Sequence, residues 1–411
     1  MEQFDLIIIG AGISGLSVLE EIKDTGLRVG VIERSQIIGG NALNLSCKAT
    51  DRCLRCNYCL VISCLKDLTL NNSLDISLGT EVKRIKREKD YFILNAERQS
   101  LVIRADLCDG CGRCYEVCPG RDDGAIRRSP HPLVSPPFYI DTERCICDKE
   151  SKDRICEKEC EKGAIVFLPN SQRILFRAKA ILLSTGFVPF DPEHIKRFNF
   201  SKCPNMITQT ELDQMLKLKG GVHRISDGRV PQNMAFIQCV GSRNPKIDKE
   251  YCSRVCCGYT LRSVLKISHI HPEMEISVFY MDIQDLGKKD EQLLDQLPQR
   301  VRYIRSMPGD MYPSEGDNIL IRYYDERENR VVSHIFEMVS LSVGMCGREE
   351  NFPLFEELNI RPDQDGFLDT DGKDSEGIFI CGSCRGPMDV SECVLDAKVV
   401  AHDIKRFFNK V

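Results

Sequence analysis

Phe4-Asp-Leu-Ile-Ile-Ile-Gly10-Ala-Gly12-Ile-Ser-Gly15 opens the chain with a β-rich run that breaks into three glycines spaced Gly-x-Gly-x-x-Gly. The run reads as a strand, Gly10 as the start of a turn, and Leu16 to Thr25 as the helix that follows. Gly12 lets the backbone approach a pyrophosphate, and Gly15 lets the helix pack on the sheet. The helix amino terminus then turns unpaired N–H groups towards the phosphates. A second strand, Leu27 to Ile32, ends in Glu33, placed to accept from a ribose diol. The glycine fingerprint alone also suits a tight turn in an unrelated α/β unit. Strand, helix, second strand and terminal acid together read as nucleotide binding.

Gly39-Gly40-Asn41 follows, where flavoproteins with two dinucleotide domains bring a loop towards the flavin. FAD is therefore expected rather than NAD. Ala180 to Ser184 is an apolar strand that runs into Thr185-Gly186, the turn seen where such chains leave and re-enter the flavin domain. Gly377 to Cys381 is a further strand ending at Gly382, before a helix from about Ser391 to Phe408. That turn and helix are expected to meet the ribityl–phosphate and the flavin pyrimidine. Gly382-Ser383-Cys384 stands where Gly-Asp is usual.

The chain has 22 cysteines, and most fall into sets of four. Cys108-x2-Cys111-x2-Cys114-x3-Cys118-Pro119 is the run that wraps a cubane [4Fe–4S] cluster, three thiolates gripping three irons while a fourth arrives from elsewhere. Cys145-x-Cys147-x8-Cys156-x3-Cys160 is a distorted partner, with Glu161 in place of proline. In two-cluster ferredoxins the fourth cysteine of each run serves the other cluster. One cluster is thus expected on Cys108, Cys111, Cys114 and Cys160, the other on Cys145, Cys147, Cys156 and Cys118.

A third group, Cys53-x2-Cys56-x2-Cys59, needs one more thiolate, from Cys47 or Cys64. Four residues separate Cys59 from Cys64, one more than in a ferredoxin, which swings Cys64 roughly 100° further round a helix. Cys47 is the first choice and Cys64 the second. Four thiolates also make a structural zinc site, so zinc stays open here beside an iron–sulfur cluster.

Asn233 begins a new strand, Met234 to Cys239, where a second nucleotide domain would start. Its turn, Cys239-Val240-Gly241-Ser242-Arg243-Asn244, keeps one glycine, and Cys252, Cys256 and Cys257 follow. A metal centre on these four cysteines, seated where a pyridine nucleotide would lie, accounts for both features. Direct NAD(P)H oxidation is then not expected. Buried structural cysteines are the plainer alternative.

At 411 residues, two or three domains are expected, with an α/β core. A net charge of −5 and the lack of a basic tract leave nucleic-acid binding without an electrostatic footprint. Residues 5–9 read as the first strand rather than a signal peptide, and no apolar run approaches the roughly 18 residues of a membrane span. A cytoplasmic protein is expected, with cysteines ligating metal rather than forming disulfides. The histidines show no ligand spacing. Lys288 to Glu291 read as a solvated loop, and Cys381-x2-Cys384 as packing or flavin contact more than a redox dithiol.

Phe236 to Arg243, Tyr251 to Cys257, Val278 to Ile283 with Gly287-Lys288, Thr185 to Pro192, Leu341 to Gly344 and Gly382 to Asp389 together resemble the A-type polypeptide of heterodisulfide reductase. The resemblance runs from the first strand to about Ala401. It implies an α/β, thioredoxin-reductase-like core of two dinucleotide-binding domains with an inserted two-cluster ferredoxin-like domain. It also implies FAD near Cys384, and a cluster on Cys239, Cys252, Cys256 and Cys257. The expected division is 1–105, 169–232 and 346–411 for the flavin domain, 106–168 for the insert, and 233–345 for the degenerate NAD(P)-type domain. The family's role is electron transfer within a complex, with ferredoxin and B- and C-type or other redox subunits as partners. Flavin-based bifurcation is one of its activities, and a dimer of A-type polypeptides is left open. Relatives also serve quinone-interacting and aryl-CoA reductase complexes. A stand-alone flavin-dependent NAD(P)H or disulfide oxidoreductase, and a sensor or scaffold with structural clusters, remain as other classes. The Cys47–Cys64 region is richer in cysteine than is usual in the family.

Overall fold

The computed structural model describes residues 1–69, 75–98, 101–104, 107–121, 124–129, 136–141, 144–147, 154–167, 172–284, 292–369 and 376–410. Gly287, Lys288 to Glu291 and the expected boundaries at 105–106 and 168–169 lie outside these residues.

Glu2–Ile9 sits inside a seven-stranded sheet, parallel to Val29–Ile32 on one side and to Gln172–Leu183 on the other. Strand side chains alternate faces, so its apolar run feeds two cores. Leu6 and Ile8 pack with the helices Ile13–Ile22 and Val390–Lys410, through Leu16, Leu19, Ala397 and Ile404. Ile7 and Ile9 pack on the opposite face with Phe92, Ile181 and Phe355. Burial on both faces is why the strand reads as continuously hydrophobic rather than alternating.

Gln172–Leu183 is long enough to serve two neighbours on one edge. Its first half pairs antiparallel with Tyr91–Arg98, in register Gln172↔Arg98, and its end pairs parallel with Ile378–Ile380. The chain then leaves through Val188–Pro189 and returns through Met345–Cys346, and these two short strands pair with each other.

The second lobe is a parallel five-stranded sheet in the order Met206–Thr208, Met338–Val343, Asn233–Val240, Glu275–Tyr280, Val301–Arg305. An antiparallel sheet of Asp310–Ser314, Asn318–Asp325 and Arg330–Phe336 packs on it. The division expected from sequence keeps residues up to 232 in the flavin domain. Instead, Phe190, Ile195, Phe198 and Cys203 enter the second lobe's core, and Met206–Thr208 pairs with Met338–Val343. That strand is three residues long with no glycine turn. It is recognised through its partner and through the Thr208–Glu211 capping box that starts Gln209–Lys219.

The cysteine-rich insert is closed at its base by Leu101–Ile103 paired with Ile165–Phe167. A hairpin, Ile126–Arg128 with Phe138–Ile140, completes its small core around Cys114, Ile126, Phe138 and Cys156. Gln36, which is 5% exposed, donates from Nε2 to the Ile140 carbonyl (3.0 Å) and accepts from the Ile140 N–H (3.3 Å). One side chain thus satisfies both backbone groups of a hairpin residue and docks the insert on the loop after Glu33. Gln36→Leu would orphan both groups at about 1–3 kcal/mol each. Hydrogen exchange is expected to rise in residues 126–140 while the seven-stranded sheet stays protected.

Candidate functional site: a cavity between two lobes, flanked by thiols

A cavity of about 500 Å³ lies where the glycine loop, the Thr185-Gly186 turn and the second lobe meet. Gly10 has φ +106°, and a Cβ there would lie 2.4 Å from the Ser184 carbonyl oxygen. A Cβ on Gly12 would meet nothing within 4 Å, so this glycine faces open space. The helix Ile13–Ile22 has no side-chain cap, leaving first-turn N–H groups available at that opening. These features fit the pyrophosphate of a dinucleotide.

Glu33 lines the cavity, and its carboxylate accepts from the Ala11 and Ser35 N–H groups, each at 2.7 Å. A carboxylate offers about four acceptor sites, so capacity for a ribose diol remains after it has tied down the glycine loop. Gly40 and Asn41 also line the cavity, and Asn41 Nδ2 donates to the Phe187 carbonyl at 2.9 Å. Thr185 and Gly186 line it too, with Arg348 Nε donating to the Thr185 carbonyl at 2.8 Å. Gly15 and Gly39 stand behind the lining: Gly15 packs against the Gly10 carbonyl, and the Gly39 N–H bonds Ala11 O at 2.7 Å.

Two expected contacts move. Gly382 and Cys384 are outside the lining, and Ser383 and Cys393 take their place. The Cys384 sulfur turns inward to the Cys381 carbonyl at 3.2 Å and the Leu183 carbonyl at 3.5 Å. Burial pushes its thiol up to about 11. The cause is the helical turn Gly382–Cys384, which alternates inward and outward side chains in a way that no single-residue pattern reveals. Ser14, Arg34 and Arg348 line the cavity without having been singled out; Ser14 and Arg34 each neighbour a residue that was.

The thiols stand in groups. Cys114 stands among Cys108, Cys111 and Cys160, and burial raises it to about 11. Cys156 stands among Cys145, Cys147 and Cys118, and burial raises it to about 12. Buried Cys256 has Cys239, Cys252 and Cys257 as electrostatic neighbours, and burial raises Cys239 to about 11. Cys47, Cys56 and Cys59 surround Tyr58, and burial with their charge raises its phenol. Cys64 lies elsewhere: it packs on the flavin-domain core, its sulfur 4.0 Å from Ser17 Oγ. Among the described residues no three His, Cys, Asp or Glu side chains are arranged to hold one ion.

One backbone device recurs. Cys53 accepts from the Arg55 N–H at 3.4 Å and Cys252 from the Arg254 N–H at 3.3 Å, each two residues on. Cys108 accepts likewise from Gly110. All three donors are left-handed: Arg55 at φ 53°, Arg254 at 61° and Gly110 at 75°. The Cys53 and Cys108 loops match further, with left-handed Asn57 and Gly112 one residue after Cys56 and Cys111. Arginine and asparagine hold a conformation that glycine adopts freely, and such strain persists only where its surroundings require it. Amides aimed at sulfur are donors that a metal-bound sulfur accepts from, which fits an iron–sulfur centre.

One of the four sets lines the cavity and a second stands next to it. Cys56 is in its lining, as are Arg254, Val255 and Gly258 around Cys256 and Cys257. Between them lies a buried pair, Lys48 with Asp213, whose side chains are 3% and 2% exposed. Asp213 also accepts from the Ser46 N–H at 3.2 Å, and Lys48 Nζ lies 4.7 Å from the Tyr259 ring centre.

Residues 8–62 match the family described as NAD(P)-binding Rossmann-like domain, and residues 101–121 match 4Fe-4S binding domain. The fold is like that of T. acidophilum thioredoxin reductase (TM-score 0.57, 12% identity, 100% of this chain and 99% of that one). It is also like Lactococcus lactis thioredoxin reductase in its FR conformation (TM-score 0.55, 13% identity, 99% and 100% covered). Fold and cysteine sets thus define a thioredoxin-reductase-like protein of two dinucleotide-type lobes with a 4Fe–4S insert. Over 96% of its length the chain is 28% identical to the A-type polypeptide of the H(2):CoB-CoM heterodisulfide,ferredoxin reductase of Methanothermobacter thermautotrophicus, covering 62% of it. It is 31% identical, over 96% of this chain and 63% of the relative, to the A-type iron-sulfur polypeptide of the CoB–CoM heterodisulfide reductase of Methanocaldococcus jannaschii. The chain is a homologue of these A-type heterodisulfide reductase polypeptides and spans less than two thirds of their length.

Leaving one partner of the Lys48–Asp213 pair buried and uncompensated is expected to cost about 3–5 kcal/mol. Lys48→Met and Asp213→Leu should each lower the denaturation midpoint strongly, and the double variant should recover most of the loss.

Proposed function

We propose that this protein is an oxidoreductase component that binds FAD in the cavity between its lobes and carries four [4Fe–4S] clusters, transferring electrons within a heterodisulfide-reductase-like complex. The observation that carries this reading is that Cys56 of one set lines the dinucleotide-type cavity, as do Arg254, Val255 and Gly258 beside the cysteines of another. Bound there, a flavin supplies exchange between electron pairs and single electrons, while the protein sets distances and potentials.

Gly10, Gly12 and the first turn of Ile13–Ile22 hold the pyrophosphate, Glu33 the ribose, and Asn41, Thr185, Gly186 and Ser383 line the remainder. The insert takes one cluster on Cys108, Cys111, Cys114 and Cys160, and another on Cys118, Cys145, Cys147 and Cys156. Cys239, Cys252, Cys256 and Cys257 take the third. Cys256 begins the helix Cys256–Ile270, whose amino terminus is where a dinucleotide phosphate would sit in an ordinary second domain. Hydride entry from NAD(P)H at this lobe is therefore disfavoured. The fourth cluster is assigned to Cys47, Cys53, Cys56 and Cys59. Its support is the backbone shared with the Cys108 loop, and the turn of Cys64 towards Ser17.

The relatives' names supply the wider setting: heterodisulfide and ferredoxin as redox substrates, with this chain as one component of the complex. The same role in a cytoplasmic complex with B- and C-type subunits, including bifurcation to ferredoxin, is proposed here. Among the described residues no helix is long and apolar enough to cross a membrane.

Anaerobically purified protein is expected to hold one FAD and about sixteen irons with matching sulfide, four per cubane. Cys47→Ala should lose about four irons and Cys64→Ala none. About twelve irons with one zinc would make the Cys53 site structural. NADH is expected to leave the flavin oxidised, while a low-potential one-electron donor reduces it.

A further inference from the structure

Around Cys239 the backbone departs from regular strand geometry. The register of Asn233–Val240 on Met338–Val343 shifts between Ile237 and Val240, and Cys239 itself has φ 56°. A bulge of this kind re-aims a side chain, and here it turns the Cys239 sulfur towards Cys252 and Cys257. Arg243, four residues on, is also left-handed at φ 53°, and its N–H is fixed to the Tyr251 carbonyl at 2.9 Å.

These constraints bring the guanidinium back over the thiol set. Arg243 stands within electrostatic reach of Cys239 and Cys252 and grips Asp282 with both Nη atoms, Nη2 to Oδ2 at 3.0 Å. Asp282 is held in turn by Gln284 Nε2 at 3.2 Å. Two opposite charges thus stand at fixed places beside one set of sulfurs, the cation near Cys239 and Cys252 and the anion near Cys257. Arg243 is 23% exposed and Asp282 41%. An ion pair at that depth is too wet to matter much for folding, which leaves its placement without a stability explanation.

We propose that Arg243, oriented by Asp282, sets the reduction potential of the cluster held by Cys239, Cys252, Cys256 and Cys257. The inference rests on the cluster assignment above. Adding one electron makes the cluster more negative by one charge. A guanidinium near the ligand sulfurs favours that state, and a carboxylate nearby opposes it. Hydrogen bonds to sulfur and local charge are the levers that proteins hold over such potentials. Asp282 is a positioning residue with a cost: it aims the fork and also cancels part of its field.

The signs make the proposal testable. The holoprotein, purified without air, is titrated with dithionite against redox mediators. The signal that disappears in Cys257→Ala is followed by electron paramagnetic resonance. Arg243→Gln removes the cation and leaves the anion, and is expected to weaken the reduction equilibrium about tenfold, which is about 59 mV for one electron. Asp282→Asn keeps the cation uncompensated and is expected to shift the equilibrium the other way. Arg243→Lys keeps the charge and should fall between Arg243→Gln and the unaltered protein. Shifts of the same sign in Arg243→Gln and Asp282→Asn, or none beyond threefold in either, would overturn the proposal. If Arg243→Gln fails to keep its iron, the direction of the Asp282→Asn shift decides. An unaltered protein with no signal that depends on Cys257 sinks the cluster assignment instead, so the two failures are distinguishable.

Discussion

The close approach of two strand ends holds the arrangement together. Ser184 Oγ donates to the Gly10 carbonyl at 2.8 Å and to Ile9 O at 3.2 Å, and no side chain fits between them at position 10 or 15. This contact fixes the floor of the cavity. It also sets where the chain departs for the second lobe, because Thr185-Gly186 comes directly after Ser184. With the floor fixed, the crossover pair Val188–Pro189 and Met345–Cys346 holds the second lobe against the opening. Tyr251 Oη donates to the Met345 carbonyl at 2.6 Å, and the Met345 N–H donates to Ser253 Oγ at 3.0 Å. A thiol-bearing loop is thereby locked to the hinge beside the nucleotide cavity. Arg254 completes the attachment through Glu392 on the last helix, at 2.7 Å.

The cysteine loops follow a second rule, that of backbone amides turned on sulfur. Left-handed residues two positions after Cys53, Cys108 and Cys252 make this possible. Glycine does so without strain in the insert, and arginine does so elsewhere. The choice has a consequence at Arg254, whose side chain lines the cavity while its amide serves Cys252. One residue touches both the thiol set and the nucleotide site. The insert is placed differently, through Gln36 and the loop after Glu33.

Much of this was legible in the chain. The glycine loop, the acid ending the second strand and the Cys-x2-Cys runs are local, and their spacing is a property of a dozen consecutive residues. The proposed crossed sharing of Cys118 and Cys160 rests on a repeat of the same kind. Cys384 was misplaced at the cavity wall. Its neighbour Ser383 faces the opening, and a one-residue difference in a helical turn depends on what packs behind it. Residues 190–232 were assigned to the wrong lobe for a related reason: Met206–Thr208 becomes a strand only because Met338–Val343, more than a hundred residues later, accepts it.

By itself the amino-acid order determined that a dinucleotide loop opens the chain and that sets of thiols lie within reach of iron, since both depend on short-range spacing and residue chemistry. Only the tertiary structure decided which lobe each segment joins, and that Arg243 meets Asp282. Those outcomes depend on contacts between residues tens to hundreds of positions apart, and they are selected by packing, register and the sharing of buried charge.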